Sequence, residues 1–169
     1  MDAETADFAR FYAESRDDCL RTVLASVGDL DRARELVDEA FARAWASWRK
    51  VGRHPAPRAW IVRTALNAGV SAWRRRRREV PLGAAACPAD ATAGGLVDRD
   101  IMAALRRLPE RQRQVIALRL FLDLDTAGTA EVLGIAPGTV TAHLARAIAT
   151  LRGELAATQG GTNDSGVLT

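Results

Sequence analysis

Cysteine and histidine, the residues that build disulfide frameworks and most zinc sites, are scarce in this 169-residue chain, which has two of each. Its two cysteines, Cys19 and Cys87, lie far apart and outside any Cys-x-x-Cys or Cys/His grouping. His54 and His143 are also isolated, with no ligand residue at the spacing that zinc sites use. The sequence therefore predicts no metal, no cofactor and no catalytic residue, and a reducing cytoplasm suits it best.

Long apolar runs and clusters of strand-forming residues are also missing. Residues 1–8 are acidic and lack the apolar segment of a signal peptide, and no apolar run approaches the roughly 20 residues of a bilayer span. Val, Ile and Tyr do not cluster, whereas hydrophobic residues make up 48% of the chain. These features argue against export and membrane insertion, and they predict an all-α protein.

The net charge of +3 conceals a strong asymmetry between segments. Residues 1–48 carry six arginines against 11 acidic residues, whereas residues 49–79 carry ten basic residues against one glutamate. Such a positive field attracts polyanions and raises the rate of encounter with nucleic acid. On charge alone, an anionic membrane surface would fit equally well.

Apolar residues at three- and four-residue steps predict the first two helices. The first ends near Gly28, and the second begins at Asp29, a favourable N-terminal residue. The second helix turns Asp38 outward and leaves Leu36 and Trp45 at the margin of its apolar stripe. The stripe itself, predicted to be core, consists of Ala33, Val37, Ala40, Phe41, Ala44 and Trp48.

A glycine and two prolines end the second helix and make residues 50–58 a short basic loop. A third helix then carries Trp60 and Trp73 and runs into five consecutive arginines at residues 74–78. Five adjacent positive charges repel one another more than the helix dipole offsets, so this end predicts a polyanionic partner. The tryptophans follow the apolar stripe, which favours core packing over base stacking.

The second half of the chain predicts a separate module. Residues 80–97 have no helical period, which is typical of a flexible linker between a first module, residues 1–79, and a second, residues 98–156. Residues 157–169 predict a disordered tail. Asp98 caps a short helix, and Pro109 begins another that reaches Leu122. The inward residues of the short helix are predicted to be Ile101, Met102, Leu105 and Leu108.

A helix-turn-helix pattern ends the second module. The small residue Ala130 is followed four positions later by Gly134 and six further by the branched Val140. The small residue allows two helices to cross closely, the glycine takes the tight turn and the valine packs back. Pro137 begins the second helix of the pair, whose exposed face would enter the major groove of DNA.

With these motifs in hand, the chain resembles the extracytoplasmic-function (ECF) class of bacterial RNA polymerase sigma factors, within the sigma-70 family. Residues 29–48 (DLDRARELVDEAFARAWASW) are similar to the family's core-polymerase-binding helix. Residues 57–79 (PRAWIVRTALNAGVSAWRRRRRE) are similar to the helix that follows the minus 10 loop, and residues 108–152 to the minus 35 module. The resemblance implies a sigma factor that binds core RNA polymerase and promoter DNA and directs transcription initiation, with no catalytic site of its own.

The resemblance also implies three sets of contact residues. Docking onto the polymerase clamp helices falls to Leu36, Val37, Asp38, Glu39 and Phe41. Contacts with the minus 10 element, including capture of a flipped base, fall to Lys50, Arg53, Arg58, Arg63, Asn67, Arg74, Arg75, Arg76, Arg77 and Arg78. Contacts with the minus 35 element fall to Arg119, Thr139, Thr141, Ala142, Ala145 and Arg146.

The sequence departs from the family pattern in places. Asp38 stands where glutamine is usual, and Thr141 and His143 stand where basic residues are frequent. Residues 123–155 carry two arginines against four acidic residues, so the second module alone is expected to bind DNA weakly.

Two other functions fit parts of the sequence. An autonomous helix-turn-helix regulator would bind duplex DNA tightly without polymerase. A nucleic-acid-processing enzyme would use the basic helix for substrate capture, although no catalytic constellation accompanies it. A further hypothesis is an anti-sigma partner that clamps between the two modules.

Overall fold

The computed structural model describes residues 2–79 and 95–160, without the side chains of residues 71–79, 155 and 157–160. Every regular element in this part of the chain is helical, which confirms the predicted all-α fold. In chain order the helices are α1 (Ala3–Val27), α2 (Leu30–Ala46), α3 (Trp48–Val51), α4 (Pro57–Glu79), α5 (Arg99–Arg106), α6 (Glu110–Phe121), α7 (Thr126–Leu133) and α8 (Pro137–Gly160).

Local chemistry sets the boundaries of the first two helices as the sequence predicted. Gly28 ends α1 in the left-handed conformation (φ 81°), which glycine adopts without a steric penalty. The Asp29 carboxylate accepts a hydrogen bond from the Arg32 amide and caps α2. Leu36 was expected at the margin of α2, but only 2% of it is exposed because it packs against Gly69 of α4. Trp45 is 44% exposed, at the margin as predicted.

The basic loop is shorter than predicted. Trp48–Val51 forms the single turn α3, and α4 begins at Pro57, three residues before Trp60. The His54 Nδ1 atom accepts a hydrogen bond from the Ala56 amide at 3.0 Å and fixes the entry into α4. The predicted arginine run lies in the last turns of α4, but its side chains are outside the described residues.

The second module contains the predicted helix-turn-helix. Gly134 takes the left-handed conformation (φ 64°) between α7 and α8, and Val140 is fully buried against Val115 and Ala130. The Asp98 carboxylate caps α5 as predicted, but Ile101, expected to point inward, is 41% exposed. The buried face of this eight-residue helix carries Met102 and Leu105, and Ile101 lies off that face.

Two predicted boundaries differ in detail. Helix α8 continues to Gly160, so the predicted module end at residue 156 lies inside a helix. Val97, assigned to the linker, is buried in the hydrophobic core. The rest of the predicted linker, residues 80–94, and residues 161–169 of the predicted tail lie outside the described residues.

The two modules pack against each other, which the sequence did not predict. Helix α1 lies along α6, and α4 contacts α7. One hydrophobic cluster therefore runs from Cys19 in α1 through Leu105 and Leu118 to Ala147 in α8. No single described helix is long and apolar enough to span a bilayer, although α7 and Pro137–Glu154, bent by 102°, meet that requirement together.

Candidate polymerase and nucleic-acid interfaces

Helix α2 places the five residues assigned to polymerase docking in two environments. Leu36, Val37 and Phe41 are buried in the core of the first module. Asp38 and Glu39 point to solvent on the opposite face, and Glu39 forms an ion pair with Arg43 one turn later. The two carboxylates are therefore available to a partner, whereas the three apolar side chains fix the helix that presents them.

An aromatic groove adjoins Asp38 on the surface between α1 and α2. Its open volume is about 400 Å³. The Tyr12 ring meets Phe41 edge-on with a centroid distance of 4.9 Å, and the exposed Trp45 ring lies 5.0 Å from Phe8. Sequence reasoning missed Tyr12 and Arg16 as candidate contact residues, although the aromatic cluster Phe8, Phe11 and Tyr12 in α1 was visible. The full lining is Phe8, Tyr12, Arg16, Asp38, Phe41, Ala42 and Trp45.

The basic residues assigned to the minus 10 element are not equivalent. Lys50 and Arg53 are exposed on α3 and the loop after it. Arg58 instead reaches back to α1, where it donates hydrogen bonds to Ser15 Oγ at 3.3 Å and to Asp18 Oδ2 at 3.2 Å. Arg58 thus anchors the loop to α1, a role that the sequence did not reveal.

Arg63 and Asn67 lie one turn apart on the exposed face of α4, which looks toward the second module. A small cleft of about 50 Å³ separates Trp60 and Arg63 from Glu131 of α7. A wider cleft of about 330 Å³ separates Asn67 from Arg111 of α6. Arg63 and Asn67 are therefore exposed to solvent at the edges of clefts that the two modules share.

Helix α8 presents its predicted DNA face to solvent. Thr139, Thr141, Ala145 and Arg146 are exposed, and Ala142 is half-buried. The Thr141 hydroxyl donates to the Pro137 carbonyl oxygen at 3.2 Å, within the first turn of the helix.

Arg119 has an intramolecular contact that the sequence did not predict. Its Nη1 atom donates to the Leu124 carbonyl oxygen at 2.6 Å. This bond closes the turn between α6 and α7, in which Asp123 adopts a φ of 51°. Arg119 therefore orients the helix-turn-helix.

The Cys19 thiol of α1 lies in the core of the first module. Burial in the core raises the pKa of the Cys19 thiol to about 12. A thiol that stays protonated at neutral pH neither attacks an electrophile nor binds a metal. Within the described residues, no three His, Cys, Asp or Glu side chains are grouped closely enough to hold a metal ion.

Comparison with known proteins identifies both modules. Sigma-70 region 2 matches residues 11–79, and Sigma-70, region 4 matches residues 98–151. The RNA polymerase sigma-E factor of Streptomyces coelicolor is 32% identical over 157 residues, which cover 91% of this chain and 89% of that protein. The chain belongs to the sigma-70 family, among its ECF sigma factors. As a sigma factor it is a transcription initiation factor that binds core RNA polymerase and directs it to promoters.

Further relatives agree with this assignment. The ECF RNA polymerase sigma factor SigL of Mycobacterium tuberculosis is 32% identical over 158 residues, which cover 89% of each chain. Among solved structures, the sigma factor RpoE from Bartonella quintana, in complex with the anti-sigma factor NepR, matches with a TM-score of 0.71 and 25% identity. The match covers 88% of this sigma factor and 96% of that chain, so it spans both modules.

Proposed function

We propose that this sigma factor docks on core polymerase through Asp38, Glu39 and the aromatic groove beside them. The observation that carries the proposal is the exposed indole of Trp45, which lies at the edge of a groove lined by rings and by one carboxylate. Aromatic side chains that are partly exposed beside a pocket are frequent energetic centres of protein interfaces. The buried Leu36, Val37 and Phe41 contribute by holding α2 in place.

Promoter contact in the first module falls to the loop after α3 and to the exposed face of α4. Lys50, Arg53, Arg63 and Asn67 are exposed along this path. The arginine run, Arg74, Arg75, Arg76, Arg77 and Arg78, continues it in sequence toward the end of α4. Exposed cations beside a loop suit a single strand, whose phosphates are neutralised while an unstacked base is captured. Arg58 acts indirectly, since its bonds to α1 hold the loop.

Contact with the minus 35 element falls to α8, with Thr139, Thr141, Ala145 and Arg146 at the groove and Ala142 beside them. Arg119 supports the turn that sets the angle of α7 and α8. Arg146 supplies most of the charge on this face, so the module binds weakly by itself. Polymerase, by fixing the spacing of the two modules, raises the effective concentration of the second once the first is bound.

The sigma factor directs initiation without catalysing a reaction of its own. It works in the cytoplasm, where the polymerase is found. An anti-sigma factor controls it by clamping between the two modules. Support comes from the Bartonella quintana relative, whose structure was determined with the anti-sigma factor NepR.

The test is transcription by purified core polymerase on sheared genomic DNA, with and without this protein, followed by sequencing of the RNA 5′ ends. We expect defined start sites with shared upstream elements only when both proteins are present. A parallel assay measures duplex binding by the protein alone, which we expect to be weak. Tight duplex binding with no change in start sites would make the protein an autonomous regulator, and cleavage or modification of the DNA would make it an enzyme.

A further inference from the structure

A cavity of about 500 Å³ lies in the seam where the two modules meet. Helices α1, α2 and α4 of the first module line one side of it, and α6 of the second module lines the other. Sites for small molecules in proteins commonly have volumes of about 300–1,000 Å³, so this cavity has room for a small ligand. Of the described residues assigned to polymerase or promoter contact, only the buried Leu36 lines it.

Positive charge predominates around the cavity. Arg32 of α2 lines it together with Arg111 and Arg113 of α6. Glu110 is the one acidic residue among the described lining residues, so three positive charges and one negative charge give a net charge of +2. The Glu110 carboxylate is partly satisfied, since it accepts a hydrogen bond from Gln114 Nε2 at 3.0 Å. Like charges around one cavity repel each other, and an anion inside it would offset that repulsion.

The protein supplies acceptors to these arginines unequally. Arg113 Nε donates to a backbone carbonyl oxygen of α1 at 2.8 Å, and Arg111 Nη1 donates to Gln114 Oε1 at 3.1 Å. Arg32 Nη1 lies 3.3 Å from Glu35 Oε2, but Arg32 Nη2 is buried without a hydrogen-bond partner in the described part of the chain. A buried donor without an acceptor is costly, so a ligand that brings an acceptor to Arg32 would be favoured.

The rest of the lining is aliphatic. Val27, Leu36, Leu66 and Val70 contribute it, and Gly69 lies among them without a side chain. No aromatic side chain of the described residues lines the cavity, so a nucleobase would find no ring there to stack on. An alkyl chain, by contrast, would leave water for contact with these side chains. The lining therefore suits a ligand with an anionic head and an aliphatic body.

We propose that this cavity binds a small amphipathic anion, an aliphatic monocarboxylate. Arg32 and Arg111 hold its carboxylate, and Leu66 and Val70 contact its chain. The planar fork of a guanidinium matches a carboxylate through two parallel hydrogen bonds, which favours this head group. Because the lining belongs to both modules, the bound carboxylate contacts both. The inference does not depend on the polymerase and promoter contacts of the proposed function.

The test uses decanoate, kept below its micelle concentration and titrated into the full-length protein by isothermal titration calorimetry. We expect saturable binding of one molecule per chain. Arg32→Gln in the first module and Arg111→Gln in the second should each weaken it at least about tenfold, because each removes a charge-assisted contact. The matched control Arg34→Gln removes an exposed positive charge from α2 outside the cavity and should bind as wild type does. Equal affinities for Arg32→Gln and Arg34→Gln would overturn the proposal.

Two other ligands show which parts of decanoate the site recognises. Decyltrimethylammonium has the same chain with the opposite charge, and inorganic phosphate has negative charge without a chain. Neither should bind at concentrations of decanoate that saturate the site. Binding of the cation as tight as that of decanoate would mean apolar adsorption only. Binding of phosphate as tight as that of decanoate would mean that the aliphatic lining takes no part, and either result would contradict the proposal.

A substitution that fills the cavity tests the site without changing its charge. Val70 lines the cavity and is 39% exposed, so a larger side chain there need not displace the core. Val70→Trp should abolish decanoate binding, whereas Ile101→Trp, at an exposed position of α5 outside the cavity, should not alter it. Circular dichroism checks folding, and the tryptophan variants decide the question if the arginine variants lose helicity. Decanoate binding to Val70→Trp as tight as to wild type would place the ligand elsewhere and refute the proposal.

Discussion

The two parts of this sigma factor that we propose to contact DNA differ most in positive charge. Residues 49–79 carry ten basic residues and one glutamate, whereas α8 carries two arginines and one glutamate. Phosphate contacts supply most of the affinity for DNA, and contacts with base edges supply selection. We therefore expect the first module to supply most of the affinity for DNA and the second to supply the sequence selection.

The two parts also differ in accessibility. The face of α8 that carries Arg146 is open to solvent, whereas the α4 face with Arg63 and Asn67 looks onto α6 and α7. Arg63 and Asn67 are themselves exposed, as are Lys50 and Arg53, so the second module narrows the approach to one part of the basic path and leaves the rest open.

Removing the arginine run should give the largest loss of affinity for DNA. We expect a quintuple variant to lower the affinity of the polymerase complex for promoter DNA at least about 100-fold. Its five substitutions are R74Q, R75Q, R76Q, R77Q and R78Q. Each single-strand phosphate contact contributes about 0.7 to the slope of log affinity against log salt, so the slope should fall by about 2 to 3.5. Promoter binding measured from low to high salt checks this.

The control for that experiment is Arg10→Gln with Arg34→Gln, which removes positive charge from α1 and α2. Its salt slope should equal that of wild type. An unchanged salt slope in the quintuple variant would mean that the arginine run makes no phosphate contact. The charge difference between the two modules would then not explain their DNA affinities.

Removing Trp45 should separate binding to core polymerase from binding to DNA. We expect Trp45→Ala to weaken binding to core polymerase about 30-fold, a loss typical of an aromatic interface centre. The thermal midpoint should change little because the indole is nearly half exposed. Arg49→Ala, which removes an exposed ion pair with Glu4, serves as the control and should leave affinity unchanged. Equal affinities for both variants would place the docking surface away from the aromatic groove.

Substitutions at two arginines of the second module should have different effects, one on transcription and one on stability. We expect Arg146→Ala to lower transcription about tenfold at promoters with a minus 35 element, as loss of one base or phosphate contact does, without affecting stability. Arg119→Gln should instead lower the free energy of unfolding by about 1.5 kcal/mol, because it breaks a charged hydrogen bond to the Leu124 carbonyl. Run-off transcription and urea unfolding distinguish the two. A reversal of these effects would show that Arg119 contacts DNA.

Local rules predicted much of this fold. Asp29 and Asp98 cap helices, and Gly134 makes the tight turn, because each of these features depends on only a few neighbouring residues. Leu36 and Ile101 were misplaced because burial at the edge of a stripe depends on which helix packs there. Gly69 of α4, more than 30 residues away, decides the burial of Leu36.

The seam between the modules could not be predicted in this way. Its contacts join Arg21 to Leu96 and Arg113 to Ser26, pairs separated by 75 and 87 residues. The one local sign was the segment Thr22 to Ser26, small or apolar at every position, which a single-faced amphipathic helix does not require. Contact residues followed from family resemblance alone, so the indirect roles of Arg58 and Arg119 became visible only with the geometry.

The smallest expected effect concerns the turn between α7 and α8, which positions the helix proposed to read the minus 35 element. Gly134 adopts a φ of 64°, whereas Gly138 lies in the first turn of α8 and a β-carbon there would meet nothing within 4 Å. Gly134→Ala should therefore lower the free energy of unfolding by about 1 kcal/mol, and Gly138→Ala should raise it by about 0.5 kcal/mol. Urea unfolding of both variants measures the difference. The same chemical change then gives opposite signs within four residues. Equal signs would mean that the turn between α7 and α8 does not require a left-handed residue.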